Sequence, residues 1–322
     1  MHNPNGSVHP SILGTIGQTP LIALDRLAAG LPGRILLKLE YFNPGFSIKD
    51  RIARQIVEDA DADGRLRPGQ TIVELTSGNT GTGLAVVCAV KDYPLIAVMS
   101  EGNSVERRRM LQALGARVEL VSQAPGSVPG QVSREDLDRV EDRTAELVRE
   151  LGAFRADQFH NPSNVRAHEL GTGREIWEQT GGRLNAFVGT VGTAGTFMGI
   201  ARALKEQNPA IRAYAVEPAS APYLAGGEIV STSHRIQGAG YALVPPLWDP
   251  AYCDGYFGIA DEAAIDTARL LARREGVFAG FSTGANVAAA LNLAAAASPG
   301  EVIVTTANDS GLKYLSTDLF PE

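Results

Sequence analysis

One short stretch decides the fold: Val188-Gly189-Thr190-Val191-Gly192-Thr193-Ala194-Gly195-Thr196. It joins the apolar run 185–188 to a segment of helical period at 196–207, and a second apolar run follows at 212–216. A strand, a helix and a second strand in this order are typical of a βαβ unit, in which the helix covers two parallel strands. The glycines let the backbone approach a ligand closely at the point where the helix begins.

The same alternation continues over most of the chain. Further apolar runs lie at 71–75, 95–99, 117–121 and 301–305, and further segments of helical period lie at 79–90, 104–115, 134–152, 166–179 and 260–276. This order is typical of α/β proteins whose sheets are mostly parallel and covered by helices. Two stretches rich in Gly and Pro, 123–131 and 220–246, are predicted to be loops. Two α/β halves are predicted to join near residues 150–165.

The composition is that of an ordinary globular protein, and it argues against two classes of partner. Of the 322 residues, 44% are hydrophobic and 20% are charged, and 29 basic against 36 acidic side chains give a net charge of −7. A chain with this charge has no electrostatic attraction to nucleic acid or to an anionic membrane. The Ala-rich stretch 285–297 contains two asparagines and is too short to span a bilayer.

The cysteines and the first residues indicate a reducing compartment. Cys88 lies in an apolar stretch and Cys253 among aromatic residues, so both are expected to be reduced structural thiols rather than catalytic ones. Residues 1–7 contain neither a basic segment nor an apolar one, so no secretory signal is expected. The protein is therefore predicted to be cytoplasmic.

Two more glycine-rich turns open predicted helices. Residues 74–81 bring small polar side chains and free N–H groups to a helix start, where a carboxylate can bind, although a simple capped turn has the same pattern. Residues 280–285 resemble the Gly-x-Ser-x-Gly turn of hydrolases. No histidine follows His234, which argues against a hydrolase triad in its usual order. Ser282 is therefore interpreted as a hydroxyl presented by a tight turn.

Lysine is scarce, which limits the candidates for an amine nucleophile to five residues. Lys49 follows a Pro-Gly turn and Ser47, a candidate helix N-cap, so it is predicted to lie in the first turn of a helix. A helix N-terminus and small or apolar neighbours both lower a lysine pKa and favour Schiff-base chemistry. A solvated surface lysine is the simpler alternative for any single position.

A dinucleotide site is a rival interpretation of residues 188–196. Their glycines do not follow the Gly-x-Gly-x-x-Gly spacing of dinucleotide-binding proteins, and no Gly-Lys-Ser/Thr of a P-loop follows. Glu217 nevertheless ends the next predicted strand, 22 residues beyond Gly195, which is about where a ribose-binding acid would stand.

Taken in chain order, the motifs resemble those of the cysteine synthase (O-acetylserine sulfhydrylase) family of fold-type II pyridoxal-phosphate enzymes. They extend from 16–21 to 313–317 and include 43–51, 76–80, 157–162, 192–196 and 237–240. The resemblance implies an α/β fold of the tryptophan synthase β type, with two open, mostly parallel twisted sheets flanked by helices. It also implies a smaller, mobile substrate-loop domain at 47–159 and a larger cofactor-binding domain at 12–46 plus 160–320.

The resemblance assigns roles to residues of this chain. Lys49 is implied to be the catalytic residue and the lysine that holds pyridoxal 5'-phosphate. The other implied cofactor-binding residues are Asn79, Gly192, Thr193, Ala194, Gly195, Thr196 and Ser282, the last facing the pyridine nitrogen. The implied substrate-binding residues are Thr76, Ser77, Gly78, Asn79, Thr80, Gln158 and Gly238. No metal ligand is implied.

The implied reaction is a β-replacement on an O-activated L-serine through an aminoacrylate, in which O-acetyl-L-serine and sulfide give L-cysteine and acetate. A homodimer is implied as well. Four alternatives stay open: replacement by another nucleophile, as in 2,3-diaminopropionate synthesis, β-elimination as in a cysteine desulfhydrase, a nicotinamide-dependent oxidoreductase, and a binding protein that holds the cofactor without turnover.

Two departures from the family pattern stand out. Ala194 replaces a glycine of the phosphate-binding turn, and its Cβ is expected to be tolerated if the φ angle is negative. The late motif reads Ala307-Asn308-Asp309-Ser310-Gly311-Leu312-Lys313-Tyr314 in place of Pro-Ser-Ser-Gly-Glu-Arg-Tyr. Such changes affect the choice of activated serine and of nucleophile rather than the cofactor.

Overall fold

The computed structural model describes residues 8–76, 78–103, 105–127 and 132–321. The strands are β1 (Leu21–Ala23), β2 (Arg34–Leu39), β3 (Ile72–Leu75), β4 (Leu95–Ser100), β5 (Arg117–Val121), β6 (Phe154–Arg155), β7 (Ala186–Thr190), β8 (Arg212–Pro218), β9 (Gly255–Ile259) and β10 (Val302–Ala307). The α-helices are α1 (Lys49–Ala62), α2 (Asn79–Lys91), α3 (Val105–Ala113), α4 (Arg134–Leu151), α5 (Ser163–Ala167), α6 (Arg174–Thr180), α7 (Gly195–Gln207), α8 (Asp261–Leu270) and α9 (Phe281–Ala295). One π-helical turn, His168–Gly173, joins α5 to α6, and a second, Leu271–Glu275, follows α8.

The chain divides into two compact units. The six-stranded unit comprises residues 17–42 and 164–321, and the four-stranded unit comprises residues 8–16 and 43–163. The domain boundaries expected from the family resemblance, and the mobility and substrate role expected of the smaller domain, stay predictions.

The six-stranded unit is built on a mixed sheet in the order β1-β2-β10-β7-β8-β9. Its β1 is antiparallel to β2, and the other neighbours are parallel. Both β7 and β10 are apolar and almost entirely buried, as expected of parallel strands covered by helices on both faces. The carboxyl ends of these two neighbouring strands therefore open at the same edge of the sheet, which is where open α/β sheets bind ligands.

The four-stranded unit is built on an all-parallel sheet in the order β5-β4-β3-β6. The helices α1 and α2 pack on each other so closely that a Cβ at Gly83 would lie 2.9 Å from the carbonyl oxygen of Lys49. Cys88, in the last turns of α2, belongs to the apolar core that includes residues of both helices, and burial raises the pKa of its thiol to about 12. A thiol with this pKa is protonated at neutral pH, as expected of a structural cysteine.

The predicted fold class is confirmed, because both sheets are mostly parallel and flanked by helices. Each apolar run predicted as a strand overlaps an observed strand, and each predicted helix overlaps an observed one. The predicted loop 220–246 contains no helix or strand, and of the predicted loop 123–131 only residues 123–127 belong to the described part of the chain. No helix within the described ranges is both long enough and apolar enough to cross a membrane.

Candidate active site

Two loops of the four-stranded unit meet at the carboxyl edge of its sheet. Strands β3 and β6 are parallel neighbours, so the segments that follow them leave the sheet side by side. The hydroxyl of Thr80 donates to Oε1 of Gln158 at 2.7 Å, and both side chains are buried. The structure thus brings together two residues that the sequence assigns to carboxylate binding, while that role itself stays a prediction.

The turn before α2 is shaped by Thr76. Its Oγ1 accepts hydrogen bonds from the N–H groups of Gly78 at 3.1 Å and Gly81 at 2.8 Å. Gly78 has a φ angle of 143°, a conformation essentially restricted to glycine, and a Cβ there would lie 2.7 Å from Cδ of Arg107. Because the Thr76 oxygen already accepts twice, its hydroxyl proton is the part of this side chain suited to a substrate carboxylate. Ser77 lies outside the described residues.

A buried carboxylate that the sequence analysis missed holds the second loop. Glu74, only 2% exposed, accepts hydrogen bonds from the N–H groups of Asp157 at 2.7 Å and Gln158 at 3.4 Å. Desolvation by burial raises the pKa of Glu74 to about 7, although these two hydrogen bonds and nearby Arg155 lower it. Glu74 therefore positions the backbone that carries Gln158, and it titrates near neutral pH.

This raised pKa predicts a pH-dependent stability that Glu74→Gln removes. A raised folded-state pKa contributes stability that is present below the unfolded value of 4.5 and is lost as the pH rises through about 7. At about 1.4 kcal/mol for each pH unit between the two pKa values, the wild type loses on the order of 2–3 kcal/mol relative to the variant between pH 5 and pH 8. Urea unfolding of both proteins across this range measures the difference. A difference that is constant with pH contradicts the assignment.

Lys49 is the first residue of α1, and it is half-buried. The hydroxyl of Ser47 accepts its backbone N–H at 3.3 Å, so Ser47 contributes to the helix start as predicted, although the helix boundary falls at Ile48. Since α2, which begins at Asn79, packs on α1 at Gly83, the two helix starts that carry predicted cofactor residues are fixed against each other.

Ion pairs with acidic side chains give a structural role to Lys38, Lys91 and Lys205. Lys38, Lys91 and Lys205 lie 2.6–3.0 Å from acidic partners. Lys38 is fully buried and also donates to two other oxygens, which satisfies all three of its protons. Among the five lysines, Lys49 is the one that stands in the motif implied to hold the cofactor, and this role stays a prediction.

The turn between β7 and α7 in the six-stranded unit leaves no room for a side chain at two of its glycines. A Cβ at Gly192 would lie 2.2 Å from the carbonyl oxygen of Gly238, and a Cβ at Gly195 would lie 1.9 Å from Oδ1 of Asn164. No side chain of the described residues caps the start of α7. Its first N–H groups and the positive end of its dipole therefore suit an anion, and the residues present fit the phosphate of the predicted cofactor.

Two threonine hydroxyls of this turn are oriented by buried side chains. The amide of Asn164 donates to Oγ1 of Thr193 at 2.8 Å. Thr196 lies 3.1 Å from Nε2 of His168, and the other ring nitrogen of that histidine lies 2.9 Å from Thr172. The structure thus brings together Gly192, Thr193, Gly195, Thr196 and, through Gly192, the loop that carries Gly238.

The backbone of Ala194 does not meet the condition under which its Cβ was expected to be tolerated. The residue has φ 70° rather than a negative φ angle, and it lies in the left-handed region that favours glycine. This conformation costs an L-residue roughly 1–2 kcal/mol. The residue is only 2% exposed and belongs to the apolar core that includes Val165 and Val191, which offsets part of that cost.

Ser282 is the second residue of α9 and is only 7% exposed. Its hydroxyl oxygen accepts a hydrogen bond from Nδ2 of Asn308 at 3.2 Å. Asn308 follows β10 directly and was not among the predicted site residues. No sequence signal links two residues that are so far apart in the chain except the departure of the late motif from the family pattern.

The structure argues against a dinucleotide site, because Glu217, the residue expected to bind the ribose, has a structural role. Glu217 is buried, and its two carboxylate oxygens accept the N–H groups of Leu224 at 2.8 Å and Ala225 at 3.0 Å. Burial raises the pKa of this carboxyl group. Glu217 therefore holds the loop that follows β8 instead of presenting a carboxylate to a ribose.

Comparison with known proteins agrees with this geometry. Residues 12–309 match the model of a family described as pyridoxal-phosphate dependent enzyme. The chain is 40% identical to the cysteine synthase of Staphylococcus aureus strain Mu50 over 311 residues, which are 96% of both chains. The structure of an O-ureido-L-serine synthase is 42% identical with a TM-score of 0.89, covering 98% of this chain and 96% of that one. Isoform 3 of O-acetylserine sulfhydrylase from Entamoeba histolytica is 37% identical with a TM-score of 0.91, covering 99% and 94%.

Proposed function

The chain belongs to the family of pyridoxal-phosphate-dependent enzymes, and on that premise we propose that it joins sulfide to O-acetyl-L-serine, giving L-cysteine and acetate. Its cofactor is pyridoxal 5'-phosphate. The observation that supports the choice of an amino-acid substrate is the buried contact of Thr80 with Gln158 beside the start of α2. The Thr80 hydroxyl gives its proton to Oε1 of Gln158 and so orients that amide, whose N–H groups, together with those of the helix start, suit an α-carboxylate.

We assign the following roles in cofactor binding to residues of this chain. Lys49 holds it covalently, and Asn79 hydrogen-bonds its ring hydroxyl oxygen. The N–H groups of residues 192–196, with the hydroxyls of Thr193 and Thr196, bind the phosphate. Ser282 donates a hydrogen bond to the pyridine nitrogen. When bound, pyridoxal phosphate supplies an electron sink for the bond between the substrate's Cα and its proton.

The remaining steps belong to side chains of this protein. Thr76, Thr80 and Gln158 bind the substrate carboxylate and orient the Cα–H bond. The Lys49 amine would take the proton from Cα, and acetate would leave from Cβ with the electron pair of the C–O bond. Orientation of this kind contributes roughly 7–11 kcal/mol in favourable cases. Sulfide then forms the new bond to Cβ, and Lys49 returns the proton to Cα.

A nucleophile other than sulfide is the second candidate, because the O-ureido-L-serine synthase is as similar to this chain as the cysteine synthase is. The carboxylate site and the cofactor site serve both reactions equally. The choice of nucleophile therefore depends on side chains other than those assigned above to the cofactor and to the carboxylate.

The deciding experiment gives the purified holoenzyme O-acetyl-L-serine together with one acceptor at a time: sulfide, hydroxyurea or ammonia. Mass spectrometry identifies cysteine, O-ureidoserine, 2,3-diaminopropionate or pyruvate. We expect cysteine to form with a kcat/KM at least tenfold above that for any other product. Faster formation of O-ureidoserine or 2,3-diaminopropionate rejects sulfide as the acceptor, and pyruvate as the main product indicates elimination.

We further propose a cytoplasmic homodimer. Two features are consistent with a reducing compartment: Cys88 is buried, and burial raises the pKa of Cys253 as well. Light scattering coupled to size-exclusion chromatography tests the dimer, for which we expect twice the monomer mass of 34.0 kDa.

A further inference from the structure

Asn308 stands at the centre of a hydrogen-bond network at the carboxyl edge of the six-stranded sheet. It lies in the late motif, where this chain departs from the family pattern. Its side chain contacts three hydroxyl groups: Thr306 at 2.7 Å, Ser282 at 3.2 Å and Thr190 at 3.3 Å. The direction of each of these hydrogen bonds follows from the groups around them.

The orientation of the Asn286 side-chain amide can be assigned first, and this side chain is fully buried. The backbone N–H of Thr190 lies 2.7 Å from this side chain, and because an N–H only donates, the atom facing it is Oδ1. The amide nitrogen of Asn286 therefore faces Thr306, where it donates to the carbonyl oxygen at 2.9 Å and to Oγ1 at 3.2 Å.

The orientation of Asn308 follows from Thr306. Since Thr306 Oγ1 accepts from Asn286, its own proton goes to its other neighbour, and the Asn308 atom at 2.7 Å is the acceptor Oδ1. Nδ2 of Asn308 then points to the hydroxyls of Ser282 and Thr190. The backbone is held as well, because the N–H of Asn308 donates to Oγ1 of Thr283 at 3.1 Å.

The orientation of Asn308 determines the direction of the Ser282 hydroxyl. Its oxygen accepts from Asn308, so its proton is directed elsewhere, and among the described residues its side chain makes no other hydrogen bond. An N–H dipole aimed at a hydroxyl oxygen makes that hydroxyl a stronger donor and a weaker acceptor. Such a hydroxyl suits a neutral ring nitrogen, which accepts, better than a protonated one, which donates.

We propose that Asn308 is a positioning residue that holds the Ser282 hydroxyl as a donor toward the pyridine nitrogen of the cofactor and so keeps that nitrogen unprotonated. The proposal rests on the proposed function, which assigns Ser282 to this nitrogen. An unprotonated nitrogen makes a weaker electron sink, which favours loss of a β-substituent over transamination.

Two substitutions of Asn308 separate the effect of the hydrogen-bond direction at Ser282 from the effect of an added charge, and a third variant removes the Ser282 hydroxyl. In Asn308→Asp the side chain accepts only, so the Ser282 hydroxyl donates to the carboxylate and turns a lone pair toward the nitrogen, and the added negative charge also favours a protonated ring. Asn308→Leu removes the donor without adding charge. Ser282→Ala removes the hydroxyl itself.

The experiment is ¹⁵N NMR of the holoenzyme reconstituted with pyridoxal phosphate labelled at the ring nitrogen. Free cofactor at acid and alkaline pH gives the shifts of the protonated and unprotonated nitrogen. We expect the wild type near the unprotonated limit and Asn308→Asp displaced toward the protonated one. Asn308→Leu is expected to move from the wild-type shift toward that of Ser282→Ala. Cofactor absorbance and circular dichroism check occupancy and folding.

The outcomes distinguish this proposal from the site assignment. A Ser282→Ala signal identical to the wild type refutes the assignment of Ser282 to the nitrogen. A shifted Ser282→Ala signal with unchanged Asn308→Asp and Asn308→Leu signals refutes only the role of Asn308. The double variant Asn308→Asp/Ser282→Ala keeps only the through-space effect of the charge, so its displacement from Ser282→Ala is expected to be smaller than that of Asn308→Asp from the wild type. Equal displacements refute the relay. Should Asn308→Asp fail to fold, Asn308→Leu alone decides in the same way.

Discussion

Replacing Lys49 by alanine is expected to lower kcat for cysteine formation by at least about 10³-fold, because the amine serves both as the covalent holder of the cofactor and as the base at Cα. We expect the variant to fold, because Lys49 is half-buried at a helix start and alanine favours a helix. Borohydride reduction followed by peptide mass spectrometry gives a second measurement. It is expected to find the cofactor on the peptide that contains residue 49 in the wild type and on no peptide of the variant.

Lys91→Ala is the matched control. Lys91 is partly exposed, pairs with Asp61 at 3.0 Å and lies at the opposite end of α2 from Asn79. Its replacement is expected to leave both the rate and the labelled peptide unchanged. Covalent cofactor on Lys313 in the Lys49→Ala protein, or a rate within tenfold of the wild type, refutes the assignment of Lys49.

Gly195→Ala is expected to weaken cofactor binding by roughly 10–100-fold, the equivalent of about one charge-assisted hydrogen bond lost at the phosphate. The new Cβ would lie 1.9 Å from Oδ1 and 2.2 Å from Cγ of Asn164, so the whole buried amide has to move. That amide orients the hydroxyl of Thr193, and the change therefore spreads to the next residue of the turn. Overpacking of this kind costs typically about 1–3 kcal/mol of stability in addition.

Titration of the apoenzyme with pyridoxal phosphate measures the dissociation constant, and urea unfolding measures the stability. Gly258→Ala is the control in the same unit: its Cβ would lie 3.5 Å from the nearest atom, at an ordinary contact distance. We expect its dissociation constant to remain within about twofold of the wild type. Equal affinities of the two variants contradict the assignment of the phosphate to the turn before α7.

The elements with a strong local pattern were predictable from the sequence, and those defined by distant partners were not. Strand β6 has only two residues and is recognisable only by its pairing with β3. Strand β2 contains Lys38, which interrupts its apolar pattern and is buried only because Glu175, far along the chain, neutralises it. The long predicted helix 166–179 is interrupted by a π-helical turn, which no periodicity indicated.

In the candidate site, too, the residues with a local sequence pattern were predictable and those defined by distant contacts were not. The glycine turn at 192–196 and the loop at 76–80 were predicted because glycines and small polar residues at a helix start have a local meaning. Glu74 and Asn308 were missed because their roles come from contacts with Asp157 and Ser282, which lie 83 and 26 positions away. The sequence left the φ angle of Ala194 open, since the conformation of the turn depends on the surrounding core and not on the residue alone.

The order of the strands has a consequence for how the protein is made. In the larger sheet, β2 pairs with β10 over residues 34–39 and 302–307, so one of its two neighbours leaves the ribosome long after β2 does. Until then one row of backbone N–H and C=O groups on β2 is unsatisfied and open to pairing with another chain. Sequence separation this large slows folding and lengthens the exposure to aggregation. Nascent chains that stall before residue 302 should accordingly depend on chaperones, whereas completed chains close the sheet themselves.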